Sequence, residues 1–240
     1  MLVDTFYHRS EWNLKKLRIF EKFGKRFPST NLFSEFARST VKEASAVEEP
    51  DITLLLWMER EELLFKTLEK YLVEEKLQEG FGNKGLDVDD FIYFSLSVHN
   101  RRKSRAGYAF ENHLSVIFES NKVSYSWGKV TELNKKPDFI FPGIKQYHAK
   151  SFDTSLLTML GVKTSAKDRW RQVLSEAAKI KHKHLITLEP AISKNQTDEM
   201  ISDNLQLVIP QGIFETYSKE QQKQIISLSD FINHVSKNQI

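Results

Sequence analysis

Residues 137–176 read PDFIFPGIKQYHAKSFDTSLLTMLGVKTSAKDRWRQVLSE. Pro137 and Asp138 precede a short apolar run at 139–141, and a second apolar run at 156–162 ends on Lys163. Short apolar runs bounded by turn residues are typical of buried strands. A basic segment then leads into a predicted helix that carries Glu176. An acid at the start of one strand and a lysine at the end of the next can meet at one point. The stretch therefore predicts a sheet with a polar site at its edge.

The residue types at this edge suit the cleavage of phosphodiesters. Carboxylates can hold a divalent metal that polarises a phosphoryl oxygen and lowers the pKa of an attacking water, and Mg²⁺ prefers a few carboxylate oxygens plus waters. A nearby lysine can orient the water and offset charge on the phosphate. Asp138 and Lys163 match the pattern Pro-Asp, spacer, (Asp/Glu)-x-Lys, but Gly161 stands where the second acid is expected. Glu176 can supply that acid if its helix packs back onto the strand ends.

A simpler interpretation of the same residues exists. Pro137 and Asp138 also form an ordinary turn before a strand, and Lys163 also suits a solvated strand end. On the dipeptide alone this simpler interpretation is favoured, because Pro-Asp followed by a lysine is common by chance.

Two longer strings change this balance, namely VKTSAKDRWRQVLSEA at 162–177 and NRRKSRAG at 100–107. Together they resemble the type II restriction endonucleases of the EcoRII type and their relatives that cut CC–GG-type sites. The resemblance covers residues 91–188 well and the remaining C-terminal residues more loosely. It implies an α/β fold of the PD-(D/E)xK class, with a central mixed sheet flanked by helices and a helical N-terminal extension.

The resemblance also implies roles for individual residues. Asp138 and Glu176 would hold Mg²⁺, Lys163 would position the water, and Lys167 would support the same phosphate. Glu111 would assist the metal site from the preceding helix. The alternative for Glu111 is a carboxylate favoured by the N-terminus of its own helix, which is predicted to begin near residue 108.

Two segments are candidates for contact with DNA. The resemblance implies that Asp168 and Arg169 read a G·C pair, since arginine can bond guanine O6 and N7 while an acid accepts from cytosine N4. The second segment is basic and ends in Ala-Gly, which suits a close approach to phosphates. The alternative for this segment is a solvated charged face. Its predicted DNA-binding residues are Arg101, Arg102, Lys103, Ser104 and Arg105.

The remaining chain alternates helical and strand-like patterns. Helices are predicted at 10–23, 30–43, 51–77, 87–99, 108–120, 213–217 and 228–235. Strands are predicted at 123–130, 184–188 and 205–209. In the helix at 51–77, Glu59, Glu61 and Glu62 are expected to face water. Strands that alternate with helices after residue 137 indicate an α/β fold. We expect a helical N-terminal region at 1–85, within the same unit as a catalytic core at 86–240.

Composition narrows the function classes. The chain has no cysteine, which excludes disulfides and thiolate zinc sites. No apolar run approaches the roughly 18 residues of a membrane span, and the N-terminus lacks the apolar core of a signal peptide. We therefore expect a cytoplasmic protein without a membrane partner. A net charge of +3 is too small to indicate nucleic-acid binding, so the clustering of the basic residues matters more.

The resemblance to the EcoRII type implies a type II restriction endonuclease that would use Mg²⁺ to cut double-stranded DNA at a CCGG or CC(N/W)GG site. A palindromic site implies a homodimer, and a cognate DNA methyltransferase is expected in the same system. Two alternatives stay open at this point. One is a structure-selective or repair nuclease with the same core. The other is a DNA-binding module without catalytic activity, which Gly161 favours and Glu176 opposes.

Overall fold

The computed structural model describes residues 19, 21–24, 26–167 and 169–239. Most of the helix predicted at 10–23 lies outside the described residues, and so does Asp168. The chain divides into two compact units, one within Met1–Lys42 and Trp57–Ala109, the other within Glu43–Leu56 and Phe110–Ile240. The division passes through both long helices. The predicted partition at residue 85 into an N-terminal region and a catalytic core remains a proposal about function.

Three helices precede the sheet. Helix α1 spans Thr30–Ser39, α2 spans Pro50–Glu79 and α3 spans Val88–Ser120. Ser29 caps α1 with its side chain, as its residue type predicts. In the first unit, α1 packs aromatic residues against apolar side chains of α2. This core comprises Phe33, Phe36, Ala37, Leu64, Phe65 and Leu68, with Ile19.

The prediction of two separate helices at 87–99 and 108–120 was wrong, because α3 is continuous from Val88 to Ser120. The basic segment is therefore helical, and Gly107 lies inside the helix. A glycine within a helix costs about 1 kcal/mol relative to alanine. The fully buried side chains of Phe110, Leu114 and Ile117 anchor the following turns, and this burial outweighs the local penalty.

The second unit contains a five-stranded mixed sheet in the order β1-β2-β3-β4-β5. Its strands are β1 (Ser126–Trp127), β2 (Phe139–Phe141), β3 (Thr158–Lys163), β4 (Lys183–Thr187) and β5 (Leu205–Val208). The first three strands pair antiparallel, and the last three pair parallel. The predicted strands at 139–141, 184–188 and 205–209 are confirmed within a residue or two at each end, and the strand predicted at 123–130 is reduced to β1.

Helices cover both faces of this sheet. Alternate residues of β2 divide between the faces, as the strand period requires. Ile140 belongs to a core with Met159 and Leu185, and this core also contains Trp170 and Val173 of helix α5 (Trp170–Leu174). On the other face, Phe139 and Phe141 pack edge-on against Phe118 at ring distances of 5.3 and 5.1 Å. The predicted α/β fold with a central mixed sheet is confirmed.

Short elements complete the chain. They are 3₁₀ turns at Glu132–Asn134, Thr154–Leu156 and Gln211–Thr216, and helices α4 (Ile144–His148), α6 (Lys194–Ser202), α7 (Lys219–Gln222) and α8 (Leu228–Lys237). Ser227 caps α8 in a capping box with Asp230. The buried carboxylate of Asp51 accepts hydrogen bonds from the amides of Leu228 and Ser229 at 2.8 and 2.9 Å. Asp51 thus holds the start of α8. No helix in the described part of the chain is long and apolar enough to cross a bilayer.

Candidate active site

Asp138 and Lys163 meet at the sheet edge, as the sequence predicts. Asp138 directly precedes β2, and Lys163 is the last residue of the antiparallel neighbour β3. The Oδ2 atom of Asp138 accepts a hydrogen bond from Lys163 Nζ at 3.2 Å and another from the Val162 amide at 2.6 Å. Their side chains are 19% and 16% exposed, so the pair is accessible to a ligand without being fully solvated.

The packing around Gly161 explains why no acid stands two residues before Lys163. A Cβ atom at this position would lie 2.7 Å from one methyl group of Val173 and 3.0 Å from the other. Val173 belongs to α5, is fully buried and cannot move aside freely. The space for an acidic side chain is therefore filled by the helix that follows β3.

Glu176 lies just beyond that helix. The sequence placed it about two turns into a helix, which was wrong, because α5 ends at Leu174. Two lysines hold the segment that carries it. Lys135 Nζ donates to the carbonyl of Ser175 at 2.7 Å, while the buried Lys183 donates to the carbonyls of Ala177 and Ile180 at 3.1 and 2.6 Å.

The electrostatic environment of Glu176 disfavours its ionised form. Burial raises the pKa of Glu176 to about 7, the negative charge of Asp138 adds to this rise, and Lys163 opposes it. Within the described part of the chain, no donor forms a hydrogen bond to the buried Oε2 atom of Glu176. Glu176 therefore presents an uncompensated oxygen beside Asp138.

Glu111 contributes a third carboxyl group to this neighbourhood. It lies far inside α3, so the alternative of a carboxylate at a helix N-terminus is excluded. Its Oε2 atom accepts a hydrogen bond from the Trp127 indole at 2.6 Å. Burial and the charge of Asp138 nevertheless raise the pKa of Glu111. Glu111 and Glu176 thus each lie within electrostatic range of Asp138 and of Lys163.

This donor set fits a divalent cation. Two carboxyl groups with raised pKa values beside a third, and one carboxylate oxygen without a donor, are the surplus negative charge that a cation relieves. Among the described residues no three His, Cys, Asp or Glu side chains form a closed metal cluster. Mg²⁺ keeps several waters and needs only one or two carboxylates. Asp138 and Glu176 are the two that could hold it.

The loop after β3 carries the other residues expected at the phosphate and the bases. The ammonium group of Lys167 is 73% exposed and lies 3.9 Å from Glu189 Oε1. Arg169 is exposed and directly precedes α5. Its predicted partner Asp168 lies outside the described residues. Both described side chains are thus open to solvent at the same end of the sheet as Lys163.

The basic segment of α3 is not a uniform charged face. Arg105 is buried, its Nη1 atom pairs with Glu61 at 2.9 Å, and its guanidinium lies 3.9 Å from the ring centre of Phe65. Glu61 was expected to face water and is instead fully buried. Arg102 pairs with Glu69 at 2.5 Å. These contacts favour a structural role for Arg105 over direct contact with DNA.

The other members of the segment are less engaged. Arg101 lies with its guanidinium 4.5 Å from the ring centre of Phe27. Ser104 donates to the carbonyl of Arg101 at 3.3 Å, and both Lys103 and Ser104 are exposed. An amphipathic helix that packs against a core shows this pattern, with one side exposed and the other engaged in ion pairs.

Sequence reasoning missed the scaffold that holds the Glu176 segment. Glu132 accepts hydrogen bonds from the Tyr147 hydroxyl at 2.6 and 2.7 Å and from the Ala178 amide at 3.3 Å. Lys179 Nζ donates to the carbonyl of Tyr147 at 2.7 Å. No local pattern predicts such a network, because its members come from three separate turns.

Comparison with known structures identifies the class of fold. The structure of metal-depleted Ecl18kI in complex with uncleaved DNA superposes with a TM-score of 0.72 at 16% identity, covering 94% of this chain and 84% of that one. The PspGI–substrate DNA complex gives a TM-score of 0.70 at 18% identity, covering 88% and 93%. The fold is therefore that of the PD-(D/E)xK restriction endonucleases.

Sequence comparison identifies the family within this class of fold. Residues 65–232 match the family described as EcoRII C terminal, so the chain belongs to this family. The type II restriction enzyme EcoRII of Escherichia coli is 39% identical over 208 residues, which cover 86% of this chain and 50% of that enzyme. The type II restriction enzyme SsoII of Shigella sonnei is 26% identical over 134 residues, covering 51% and 43%. The chain spans about half the length of these relatives.

Proposed function

We propose that this chain is a type II site-specific deoxyribonuclease that hydrolyses double-stranded DNA with Mg²⁺ as cofactor. The observation that carries the proposal is the meeting of Asp138 and Lys163 at the strand ends, with the uncompensated carboxylate of Glu176 beside them. Membership of the EcoRII C-terminal family supports it. Type II restriction enzymes among the relatives and a substrate DNA complex among the similar folds support it further.

Each side chain has a task in this proposal. Asp138 and Glu176 would hold the Mg²⁺ ion, which polarises the phosphoryl oxygen and activates water when it is bound. The Lys163 ammonium has three donors, and one of them already bonds Asp138. The others can orient the attacking water and bond the phosphate oxygen on which charge develops. Glu111 adds negative charge to the site, and Lys167 supports the same phosphate from the adjacent loop.

Contact with DNA is assigned to the loop after β3, which would read bases, and to the basic segment, which would bind phosphates. Asp168 and Arg169 would read the edges of a G·C pair in the major groove, and the expected target is CCGG or CC(N/W)GG. Arg101, Arg102, Lys103 and Ser104 would contact the phosphate backbone. We leave Arg105 outside this set because its guanidinium is buried as well as paired, whereas the paired Arg102 is 58% exposed.

A palindromic target implies two copies of the chain, each reading one half-site. We therefore propose a homodimer. We also propose a cytoplasmic location and a cognate DNA methyltransferase in the same system, because an active enzyme of this kind would otherwise cut the DNA of its own cell.

Digestion of fully sequenced phage DNA tests the proposed function. The protein is incubated with this DNA in the presence of Mg²⁺, and the ends of the fragments are sequenced. We expect discrete fragments whose ends all fall at one CC–GG site. EDTA and the Asp138→Ala variant should each stop the cleavage, because both remove the proposed metal site.

Other outcomes would overturn the proposal. Smearing without a common end sequence, which still requires Mg²⁺ and Asp138, would identify a nuclease without sequence specificity. Salt-sensitive DNA binding without any cleavage would identify a binding module and remove the catalytic role of Glu176.

A further inference from the structure

Glu189 is a buried carboxylate that the proposed mechanism does not use. It follows β4 and is 9% exposed. A buried carboxylate normally requires a cation or several donors. The described ammonium that faces it belongs to Lys167, is 3.9 Å from Oε1 and is itself 73% exposed. The stabilisation of the Glu189 carboxylate must therefore come mainly from other donors.

Those donors belong to residues 165–167. We call the described residues 164–167 and 169 the recognition loop. Glu189 Oε2 accepts hydrogen bonds from the Ala166 amide at 2.6 Å, the Lys167 amide at 3.0 Å and the Ser165 hydroxyl at 3.1 Å. One carboxylate oxygen thus binds three consecutive residues. Hydrogen bonds to an ionised acceptor are about twice as strong as neutral ones.

The main chain of Glu189 is fixed to the core of the second unit. Its carbonyl accepts a hydrogen bond from the buried Tyr217 hydroxyl, and its amide donates to the fully buried Thr187 hydroxyl at 3.2 Å. Gln196 of α6 provides a second support, since its side-chain amide donates to the Lys167 carbonyl at 3.2 Å. The recognition loop is therefore held from the interior and from one neighbouring helix.

The same support also holds the main chain of Arg169, whose side chain is expected to read a base. The Arg169 amide donates to the Ala166 carbonyl at 2.8 Å. The hydrogen bond from the Ala166 amide is the shortest of the three that Glu189 accepts. Two hydrogen bonds, both made by the main chain of Ala166, thus connect Glu189 to Arg169. The amides of Ala166 and Lys167 are already bonded to Glu189, and the Arg169 amide is bonded to the Ala166 carbonyl, so none of these three is free to bind DNA.

We propose that Glu189 is a positioning residue for sequence discrimination. It fixes the recognition loop so that Arg169 meets the edge of one base pair in a single geometry. Bidentate recognition of guanine depends on such geometry, because a displaced guanidinium bonds a wrong base nearly as well. The inference rests on the proposed function and names a residue that acts through the loop without touching DNA.

The test compares cleavage of a mapped target duplex with cleavage of duplexes that each carry one substituted base pair. Single-turnover rates are measured for the wild type, Glu189→Ala and Glu189→Gln. We expect the ratio of target to substituted cleavage to fall roughly 10- to 100-fold in Glu189→Ala, the range of one base contact. Glu189→Gln keeps an acceptor oxygen and should retain most of the discrimination.

Glu199→Gln serves as the matched control. This carboxylate lies on α6, is 52% exposed and pairs at 2.5 Å with Arg171, which lies outside the recognition loop. Its discrimination ratio should equal that of the wild type. Hydrogen exchange at the Ala166 and Lys167 amides provides a second measurement, and these amides should exchange faster in both Glu189 variants.

The outcomes separate the two proposals. Equal loss of cleavage on every duplex, with an unchanged ratio, would make Glu189 a merely structural residue and overturn its specificity role alone. Unchanged amide exchange in the Glu189 variants would do the same. Wild-type protein that cuts no duplex at a defined sequence would overturn the proposed function, and the specificity role would fall with it.

Discussion

Two acid–base pairs in this molecule are similar in type and differ in their surroundings. Glu61 and Arg105 pair at 2.9 Å in the first unit, with side-chain exposures of 0% and 9%. Asp138 and Lys163 pair at 3.2 Å in the second unit and are both partly exposed. Arg105 also lies against the rings of Phe65 and Phe33 and bonds the carbonyl of Glu61.

The difference lies in how the charges are compensated. Aromatic rings and a carbonyl complete the coordination of Arg105, so little is left for a ligand to gain. Asp138 and Lys163 are instead surrounded by two further acids whose pKa values are raised. The Glu61–Arg105 pair is enclosed by aromatic rings and supports the fold. An ion pair with surplus charge beside it marks a site that a cation and a phosphate can complete.

The largest expected effect is a loss of cleavage activity, with little loss of stability, when the Asp138–Lys163 pair is changed. Asp138→Asn should lower single-turnover DNA cleavage on the order of 10,000-fold, or about 5 kcal/mol of transition-state stabilisation. The physical reason is the loss of a metal ligand and of the Lys163 partner. The midpoint of urea unfolding should change little, because Asp138 is partly exposed and the variant keeps the side-chain volume.

Substitution in the Glu61–Arg105 pair should instead lower stability. Arg105→Met leaves the buried Glu61 charge without its guanidinium and should lower the free energy of unfolding by about 3–5 kcal/mol. Urea denaturation measures the loss, and Lys103→Met on the exposed side of the same helix is the control. Normal stability of Arg105→Met together with weakened, less salt-sensitive DNA binding would instead make Arg105 a DNA contact.

Gly161→Asp tests whether the acid can return to the strand. The new Cβ would lie 2.7 Å from Val173, and overpacking of this kind costs about 1–3 kcal/mol. Adding Gly161→Asp to Glu176→Gln should therefore restore no cleavage and lower thermal stability. Adding Val173→Ala as well should recover part of the stability lost to the clash. Restored cleavage in the Gly161→Asp, Glu176→Gln variant would show that the space at Gly161 is open.

His184 is a buried ionisable group whose charged neighbours are two further histidines. Burial, with the positive charges of His182 and His234, lowers the pKa of His184 to about 3. Unfolded His184 gains a proton near pH 6.5, so its contribution to stability is complete above that pH and is lost as the pH falls towards the folded value. At pH 5 the loss is about 2 kcal/mol.

Urea denaturation at several pH values measures this loss. His184→Phe should show a flatter fall in stability between about pH 6.5 and pH 4 than the wild type does. His234, whose pKa burial also lowers, makes a smaller contribution of the same sign. Parallel curves for the wild type and His184→Phe would contradict the assignment of the buried neutral imidazole.

The sequence was sufficient for features set by neighbouring residues. Apolar runs predicted β2 and β3, and the residue types at their ends predicted the contact between Asp138 and Lys163. Ser29 and Ser227 cap α1 and α8 with their side chains, which serine at such a position favours. In each case a local pattern of spacing or hydrogen-bonding capacity decides the structure.

Features set by distant residues could not be predicted. The sequence broke α3 at Gly107, but burial on the C-terminal side of that glycine keeps the helix continuous. Glu61 was assigned to water because its partner Arg105 is 44 residues away. The short α5 ends before Glu176, and the carbonyl of the adjacent Ser175 is held by Lys135, which is 40 residues away in the sequence. Local patterns carry no information on such contacts.

The most direct test of the central claim is the binding of a divalent cation itself. Free Mn²⁺ is followed by electron paramagnetic resonance while it is titrated with protein and a duplex that resists cleavage. We predict that the wild type and Glu189→Gln bind Mn²⁺, whereas Asp138→Asn and Glu176→Gln each lose this binding. Undiminished Mn²⁺ binding by folded Glu176→Gln would contradict the account, because the second ligand would then lie elsewhere.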